Sequence, residues 1–395
     1  MPAGVYLHIP FCKSRCSYCD FATDVYRDSG AVDRYVDALI REIRASHAVS
    51  PRLMLSHPVS SGPGVSAQDE TRRTVADTVY FGGGTPSLLT PEQVGAILGA
   101  VRAKFDIDPD AEITMEMNPA TVTRETLAAY RGLGVNRASF GVQTFNDRDL
   151  KLLARGHDAN DARETYRLLR EAGFPNVSFD LIAGLPGQTL DDWSRNLDEA
   201  IAMSPEHLSL YLLEIHEATP LAEQLRSGRR PLPDEELAAG MYEMMIDRLA
   251  AAGYRQYEIS NFARPGFESR HNTKYWRMEP VFGFGVSAHS FDGRERYANE
   301  RDTAKYVEMI ETSGTAEVMR EEIDLASETA FLGLRLEEGL DLPKYSALFG
   351  FDLLEKYSTD LGLFSDAGLL DISGERLRLT RRGKLNSNEV FAVFV

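Results

Sequence analysis

Six short apolar runs that alternate with amphipathic stretches predict an α/β chain built on a parallel sheet, most simply a partial (β/α)6 barrel of the TIM type. An open doubly wound sheet is the alternative. The alternation stops after residue 215, and a smaller C-terminal α+β domain, helical and winged-helix-like, follows. A third observation is positional: polar residues recur at the ends of the runs, where a parallel sheet collects its ligands.

The strand runs are Val5–Pro10, Thr78–Phe81, Ile113–Met117, Arg137–Val142, Val177–Ile182 and Leu208–Ile215, each rich in β-branched or aromatic residues. Between the first two, Val32, Tyr35, Val36, Leu39, Ile40 and Ile43 recur at helical spacing and give one apolar stripe. Further helices are expected over Pro91–Lys104, with Thr90 as N-cap and proline at the first helical position, then Arg124–Gly132, Asp161–Ala172 and Leu190–Met203. Residues 46–74, with Ser-Ser-Gly-Pro-Gly at 60–64, lack periodicity and read as a flexible surface insertion. Beyond the last run, 220–254 looks helical, and 254–300 looks like strands and loops around a Gly-Phe-Gly turn. The C-terminal piece carries a hairpin, Leu369–Ile372 with Leu377–Thr380, around Ser-Gly-Glu. The expected division is 1–219, a connecting region 220–320, and a small domain 321–395.

With 43 basic and 60 acidic residues, the net charge of −17 argues against broad binding to nucleic acid or anionic membranes. No apolar stretch is long enough to span a bilayer, and the first strand begins almost at Met1, so a cytoplasmic location is expected. The three cysteines, an odd number, suit a reducing compartment.

All three lie within eight residues, as Cys12-Lys-Ser-Arg-Cys16-Ser-Tyr-Cys19, directly after the first strand. Three thiolates on one loop can hold three irons of a cubane cluster, leaving a fourth iron open to a small molecule. A structural zinc site is the alternative, with His8 the nearest fourth donor.

Chemistry recurs at the other strand ends. The second run leads into Gly82-Gly-Gly-Thr-Pro86, the third carries Glu116 before Asn118-Pro119, and the fourth ends at Gln143. The fifth contains Asp180, and the sixth ends near Glu214. The glycine run has neither GxGxxG nor GxxxxGK(S/T) spacing, so neither a Rossmann nor a P-loop site follows; glycines there let backbone approach a ligand closely.

The C-x3-C-x2-C spacing, with Tyr18 before the third cysteine, resembles the cluster loop of the radical S-adenosylmethionine enzymes. The resemblance implies a [4Fe-4S] cluster on Cys12, Cys16 and Cys19, whose open iron chelates S-adenosylmethionine, and a Gly-Gly-Gly-Thr-Pro backbone that meets the cofactor's amino group. On the same resemblance Tyr6, Gly83, Gly84, Thr85, Glu116, Gln143, Arg155 and Asp180 match cofactor-contacting positions.

His8-Ile-Pro-Phe-Cys12, Gly141-Val-Gln-Thr-Phe145, Asp180-Leu-Ile-Ala-Gly-Leu-Pro186 and Tyr257-Glu-Ile-Ser-Asn-Phe262 resemble the branch that holds oxygen-independent coproporphyrinogen III oxidase and the HemW haem chaperones. The oxidases carry a further cysteine where this chain has Phe21, and Arg270-His-Asn-Thr-Lys-Tyr-Trp276 is similar to the HNxxYW haem motif of HemW. The resemblance therefore implies a haem chaperone that serves client haemoproteins, membrane-associated ones included. His271 is its candidate iron ligand, Tyr275 and Trp276 pack on the porphyrin, and His289 is the reserve ligand. Classical turnover is not required on this reading; the enzymatic alternative is radical oxidative decarboxylation of coproporphyrinogen III.

Overall fold

The computed structural model describes residues 1–25, 28–46 and 73–395. The insertion expected at 46–74 lies, apart from its end residues, outside the described residues.

Six parallel strands carry the fold: β1 (Ala3–Ile9), β2 (Val75–Gly83), β3 (Asp106–Met117), β4 (Arg137–Gln143), β5 (Asn176–Ala183) and β6 (His207–Leu212). A seventh parallel strand, β7 (Val281–Phe284), pairs with the free side of β1. Antiparallel strands extend both flanks, so the sheet has 12 strands, from Glu317–Glu322 through β7, β1 and β2 to β6, ending at Arg255–Gln256. Region 220–320, read above as a connection, thus supplies strands to the main sheet.

The crossovers are helical and cover the outer face. They comprise α1 (Ser29–Ala45), α2 (Pro91–Lys104), α3 (Arg124–Leu133), α4 (Ala159–Glu171) and α5 (Leu190–Met203). Each starts where a side chain satisfies an otherwise orphaned backbone N–H: Asp28, Thr90, Thr123, Asp158 and Thr189 accept from the first turn, and the last four form reciprocal capping boxes. The stripe foreseen on α1 is buried at Val32, Tyr35, Val36, Leu39 and Ile43. One apolar core joins these helices to the outward residues of the strands, Val5, Leu7, Val79, Phe81, Met115, Phe140 and Phe179 among them.

The inward residues are different. Inner positions of a closed barrel are normally packed with branched aliphatics. Here Tyr6, Tyr80, Glu116, Arg137, Ser139, Asp180 and Ser209 share the inner face by strand alternation. Tyr6, Glu116 and Asp180 remain partly exposed although they sit on central strands, and Tyr211 keeps 41% of its surface. The concave face therefore encloses a polar chamber.

A seven-residue helix, α6 (Arg270–Trp276), closes its lower end, where strands and loops were expected. Ser269 caps it, and the Glu112 carboxylate accepts from the backbone N–H groups of Arg270 and His271 at its positive end. Lys274, 3% exposed, is pinned by Asp77, Glu279 and the Pro2 carbonyl.

Residues 325–394 gather around a second core that includes Ala330, Leu340, Tyr345, Leu361 and Leu377. The order of helix Leu325–Gly333, strand Leu340–Asp341, two main helices and the hairpin Leu370–Ser373/Arg376–Leu379 is that of a winged helix, and the expected hairpin is present. The Tyr257–Phe262 segment ties this domain to the sheet. Glu258, 1% exposed, pairs with Arg335, and the Tyr257 carbonyl accepts from Glu337.

Candidate cluster and cofactor chamber

The cysteine loop lies over the C-terminal ends of the strands. Cys12 ends the short strand Phe11–Cys12, which pairs with Asp24–Val25 and so closes the loop on itself. His8 reinforces the closure: its Nε2 bonds the Ala22 carbonyl at 2.9 Å and its Nδ1 the Tyr6 hydroxyl at 3.1 Å. Burial pushes the Cys12 thiol up to about 11 and raises Cys19 as well, which favours the thiol over the thiolate until a metal takes the proton's place. Among the described residues no three His, Cys, Asp or Glu side chains converge as they would around one ion. A cubane makes no such demand, since each of its cysteines goes to a different iron.

Thr85 and Arg155 face the sulfurs. The Thr85 hydroxyl donates to Cys12 Sγ at 3.5 Å, and Arg155 Nη1 donates to Cys16 Sγ at 3.4 Å and to the Tyr18 hydroxyl at 3.3 Å. Asn118 joins the two, donating to Thr85 Oγ1 at 2.8 Å and accepting from Arg155 Nη2 at 2.7 Å. Asn118 was noted only as a strand end; its role as a bridge depends on a fold that brings 85 and 155 together.

The glycine run forms a close-packed cradle beside them. Gly83 has φ of +109°, and a Cβ there would stand 2.8 Å from the His8 ring; at Gly84 it would stand 2.8 Å from the Pro10 carbonyl. Gly83 N–H donates to Glu116 Oε2 at 3.1 Å, and the Tyr80 hydroxyl to Oε1 at 2.7 Å. Burial, reinforced by the Asp180 charge, pushes Glu116 up to about 7 despite those bonds. Asp180 rises to about 6, also through burial, against the pull of Arg137 and hydrogen bonds from Ser209 and Ser139. Tyr80, Ser139 and Ser209 escaped the sequence reading; each sits an even number of positions from a chosen residue on its own or a neighbouring strand, which was the available signal. Gln143 ends β4 in the left-handed region, φ +67°, its amide lying over Gly141, where any side chain would collide with it. Glu214 is outside this group, at the exposed surface.

His271 and Tyr275 enter the chamber from below. His271, 1% exposed, has both ring nitrogens engaged, Nδ1 with Thr78 Oγ1 at 2.8 Å and Nε2 with the Tyr275 hydroxyl at 3.2 Å. Its ring stacks on Tyr80 with centroids 5.0 Å apart. Burial and the Lys274 and Arg137 charges lower it to about 3, so it stays neutral. Tyr275 keeps 36% of its surface open. Trp276 turns to the other side of α6, under the Arg335 guanidinium at 4.3 Å, where it borders a groove of about 650 Å³ shared with the C-terminal domain. His289 lies apart, on the antiparallel flank.

The family model of the radical SAM superfamily matches residues 67–200, and that of the HemN C-terminal domain matches 321–385. The heme chaperone HemW of Bacillus subtilis is 35% identical, over 99% of both chains. The chain belongs to the HemW family. The heme chaperone HemW of Mycobacterium tuberculosis is 36% identical over 98% of this chain and 94% of its own. A bovine mitochondrial relative, radical S-adenosyl methionine domain-containing protein 1, is 38% identical over 86% and 74%. Among solved structures, coproporphyrinogen III oxidase (HemN) from Escherichia coli, titled a radical SAM enzyme, superposes with a TM-score of 0.83 at 25% identity, covering 100% of this chain and 90% of that one.

The superfamily's cofactors are a [4Fe-4S] cluster and S-adenosylmethionine, and the donor set fits them. Three thiols stand on one closed loop, and the adjoining glycines pack so tightly under it that a Cβ at Gly83 would strike the His8 ring and one at Gly84 the Pro10 carbonyl. Bound there, the cluster and cofactor supply one-electron chemistry. Cys12, Cys16 and Cys19 would hold the metal, with Gly83, Thr85, Glu116 and Arg155 disposed around the open side. Among the described residues no helix is long and apolar enough to cross a membrane.

Proposed function

We propose that this protein binds haem and passes it to client haemoproteins, with the cluster and S-adenosylmethionine in the chamber supporting that transfer. The observation that carries the reading is the match along nearly the whole chain to proteins named heme chaperone HemW, together with the HNxxYW segment folded as α6. Phe21, 67% exposed, stands where an oxidase carries its further cysteine.

On this proposal Tyr6, Gly83, Gly84, Thr85, Glu116, Gln143, Arg155 and Asp180 bind S-adenosylmethionine. The porphyrin packs against Tyr275 and Trp276, and His271 Nε2 takes the iron once Tyr275 releases it. The groove beside Trp276, across α6 from His271, has an apolar wall from Leu325, Leu340 and Leu348 and carries Lys344 and Arg376, cations of the kind that pair with propionates. The likeness to coproporphyrinogen III oxidase keeps one competitor, radical decarboxylation of coproporphyrinogen III. One anaerobically reconstituted sample decides: haem retention without coproporphyrinogen turnover upholds the carrier, and turnover without haem retention replaces it.

A further inference from the structure

Three residues of one register row across β3, β4 and β5, Thr114, Arg137 and Asn176, each hold a buried side-chain atom with no partner among the described residues: Thr114 Oγ1, Arg137 Nε and Asn176 Oδ1. Arg137 is the anomaly. It is 1% exposed, among the largest fully buried side chains, yet its guanidinium makes no hydrogen bond or ion pair with any described residue.

Its charge acts on Glu116, Asp180, His207, Tyr257 and His271, which places it among the inner-face residues at the chamber floor. Neither carboxylate pairs with it. Glu116 is taken by Tyr80 and Gly83, and Asp180 by Ser209 and Ser139. His207 and Tyr257 are bonded to each other, at 2.8 Å. A buried cation left unpaired is strongly destabilising, so a fold that keeps one has another partner for it.

We infer that Thr114, Arg137 and Asn176 form a carboxylate subsite at the floor of the chamber. The donors suit that ligand: a guanidinium edge, a hydroxyl, and a carboxamide that presents N–H groups when its two ends exchange places. A neutral polar ligand would leave the guanidinium charge uncompensated, and a phosphate's further negative charge would meet Glu116 and Asp180 above it. The site is separate from the cysteine loop, at the other end of the same strands, and the inference is independent of the haem reading.

The test uses the full chain, thermal melts, and sodium acetate against sodium chloride at matched ionic strength, for wild type, Arg137→Met and Thr114→Val. Acetate raises the wild-type melting temperature, by roughly 2 °C at ten times its dissociation constant. Arg137→Met abolishes that rise while melting, without acetate, at or above the wild-type temperature, because an unpaired buried charge has been removed. Thr114→Val weakens the acetate effect several-fold and serves if Arg137→Met does not fold. Repeating the melts with S-adenosylmethionine assigns the source of the carboxylate: additive stabilisation means a separate molecule, and mutual exclusion means the cofactor's own group. The inference is overturned if acetate does not stabilise wild type, or stabilises Arg137→Met equally. It is also overturned if Arg137→Met is markedly less stable without acetate, which would make Arg137 a structural counter-charge to Glu116 and Asp180.

Discussion

If His271 takes the haem iron through Nε2, Tyr275 competes for that nitrogen, and Tyr275→Phe removes the competitor while leaving the ring in place. The bond at stake is a single hydrogen bond of 3.2 Å from a side chain one helical turn away. Such a bond contributes about 0.5–1.5 kcal/mol, so its removal is expected to tighten haem two- to tenfold. His271→Ala should act in the opposite direction and more broadly. It removes a ring that is 1% exposed and orphans Thr78 Oγ1, for a cost of roughly 3–6 kcal/mol and a melting temperature lowered by roughly 4–7 °C. Soret titration of reconstituted protein reads the first effect and scanning calorimetry the second. Unchanged or weaker haem binding in Tyr275→Phe refutes ligation through Nε2. A His271→Ala protein that melts with wild type refutes the view of this ring as an anchor of the floor.

Changing Cys12, Cys16 or Cys19 to Ala should abolish the broad charge-transfer absorbance and the binding of about four irons per chain on anaerobic reconstitution; stoichiometric zinc in the intact protein without that chromophore would overturn the cluster assignment. Gly83→Val, whose Cβ meets the His8 ring at 2.8 Å, should eliminate S-adenosylmethionine binding in equilibrium dialysis with iron content retained, at a strain cost of about 1–3 kcal/mol; retained cofactor binding would mean that the cradle has been misassigned. Glu116 has a folded pKa of about 7, above its unfolded value, so the folded state holds its proton between about pH 4.5 and 7 and this group's contribution to stability falls as pH rises through that window. Thermal melts from pH 5 to 8 should therefore show wild type losing stability relative to Glu116→Gln with rising pH, and parallel curves would contradict it. Trp276→Ala should weaken haem binding with a smaller fall in melting temperature than His271→Ala, read by the same titration and calorimetry; unaltered haem affinity would remove Trp276 from the site.

The strands were legible where both faces carry a signal. The runs at 137–142 and 177–182 extend by only one or two residues to β4 and β5, because fully buried parallel strands are apolar or compact nearly throughout. β3 begins seven residues before its apolar run, since Asp106, Asp108 and Asp110 open it on an exposed rim. Strands were expected around the Gly-Phe-Gly turn, but the parallel pairing of β7 with β1 was not, because four residues around a glycine carry no register signal and that pairing is set by distant chain. α6 was hidden by Thr273, Tyr275 and Trp276, residues of weak helix propensity; its Ser269 cap and the Glu112 carboxylate fix it, and the second is a tertiary contribution. The cysteine ligand set could be read directly, since its chemistry is local to one loop. The floor of the chamber could not, because Arg137, Thr114 and Asn176 acquire meaning only when three strands set them side by side.

The plug formed by α6 has a kinetic corollary. With Ser269, His271 and Lys274 buried, α6 blocks the lower end of the chamber, while Thr85 and Arg155 stand at the upper end under the cysteine loop. A guest that reaches the floor from that upper end passes the place where the nucleotide cofactor would sit. For such a guest the order of events follows from geometry: it enters before the cofactor and departs after it.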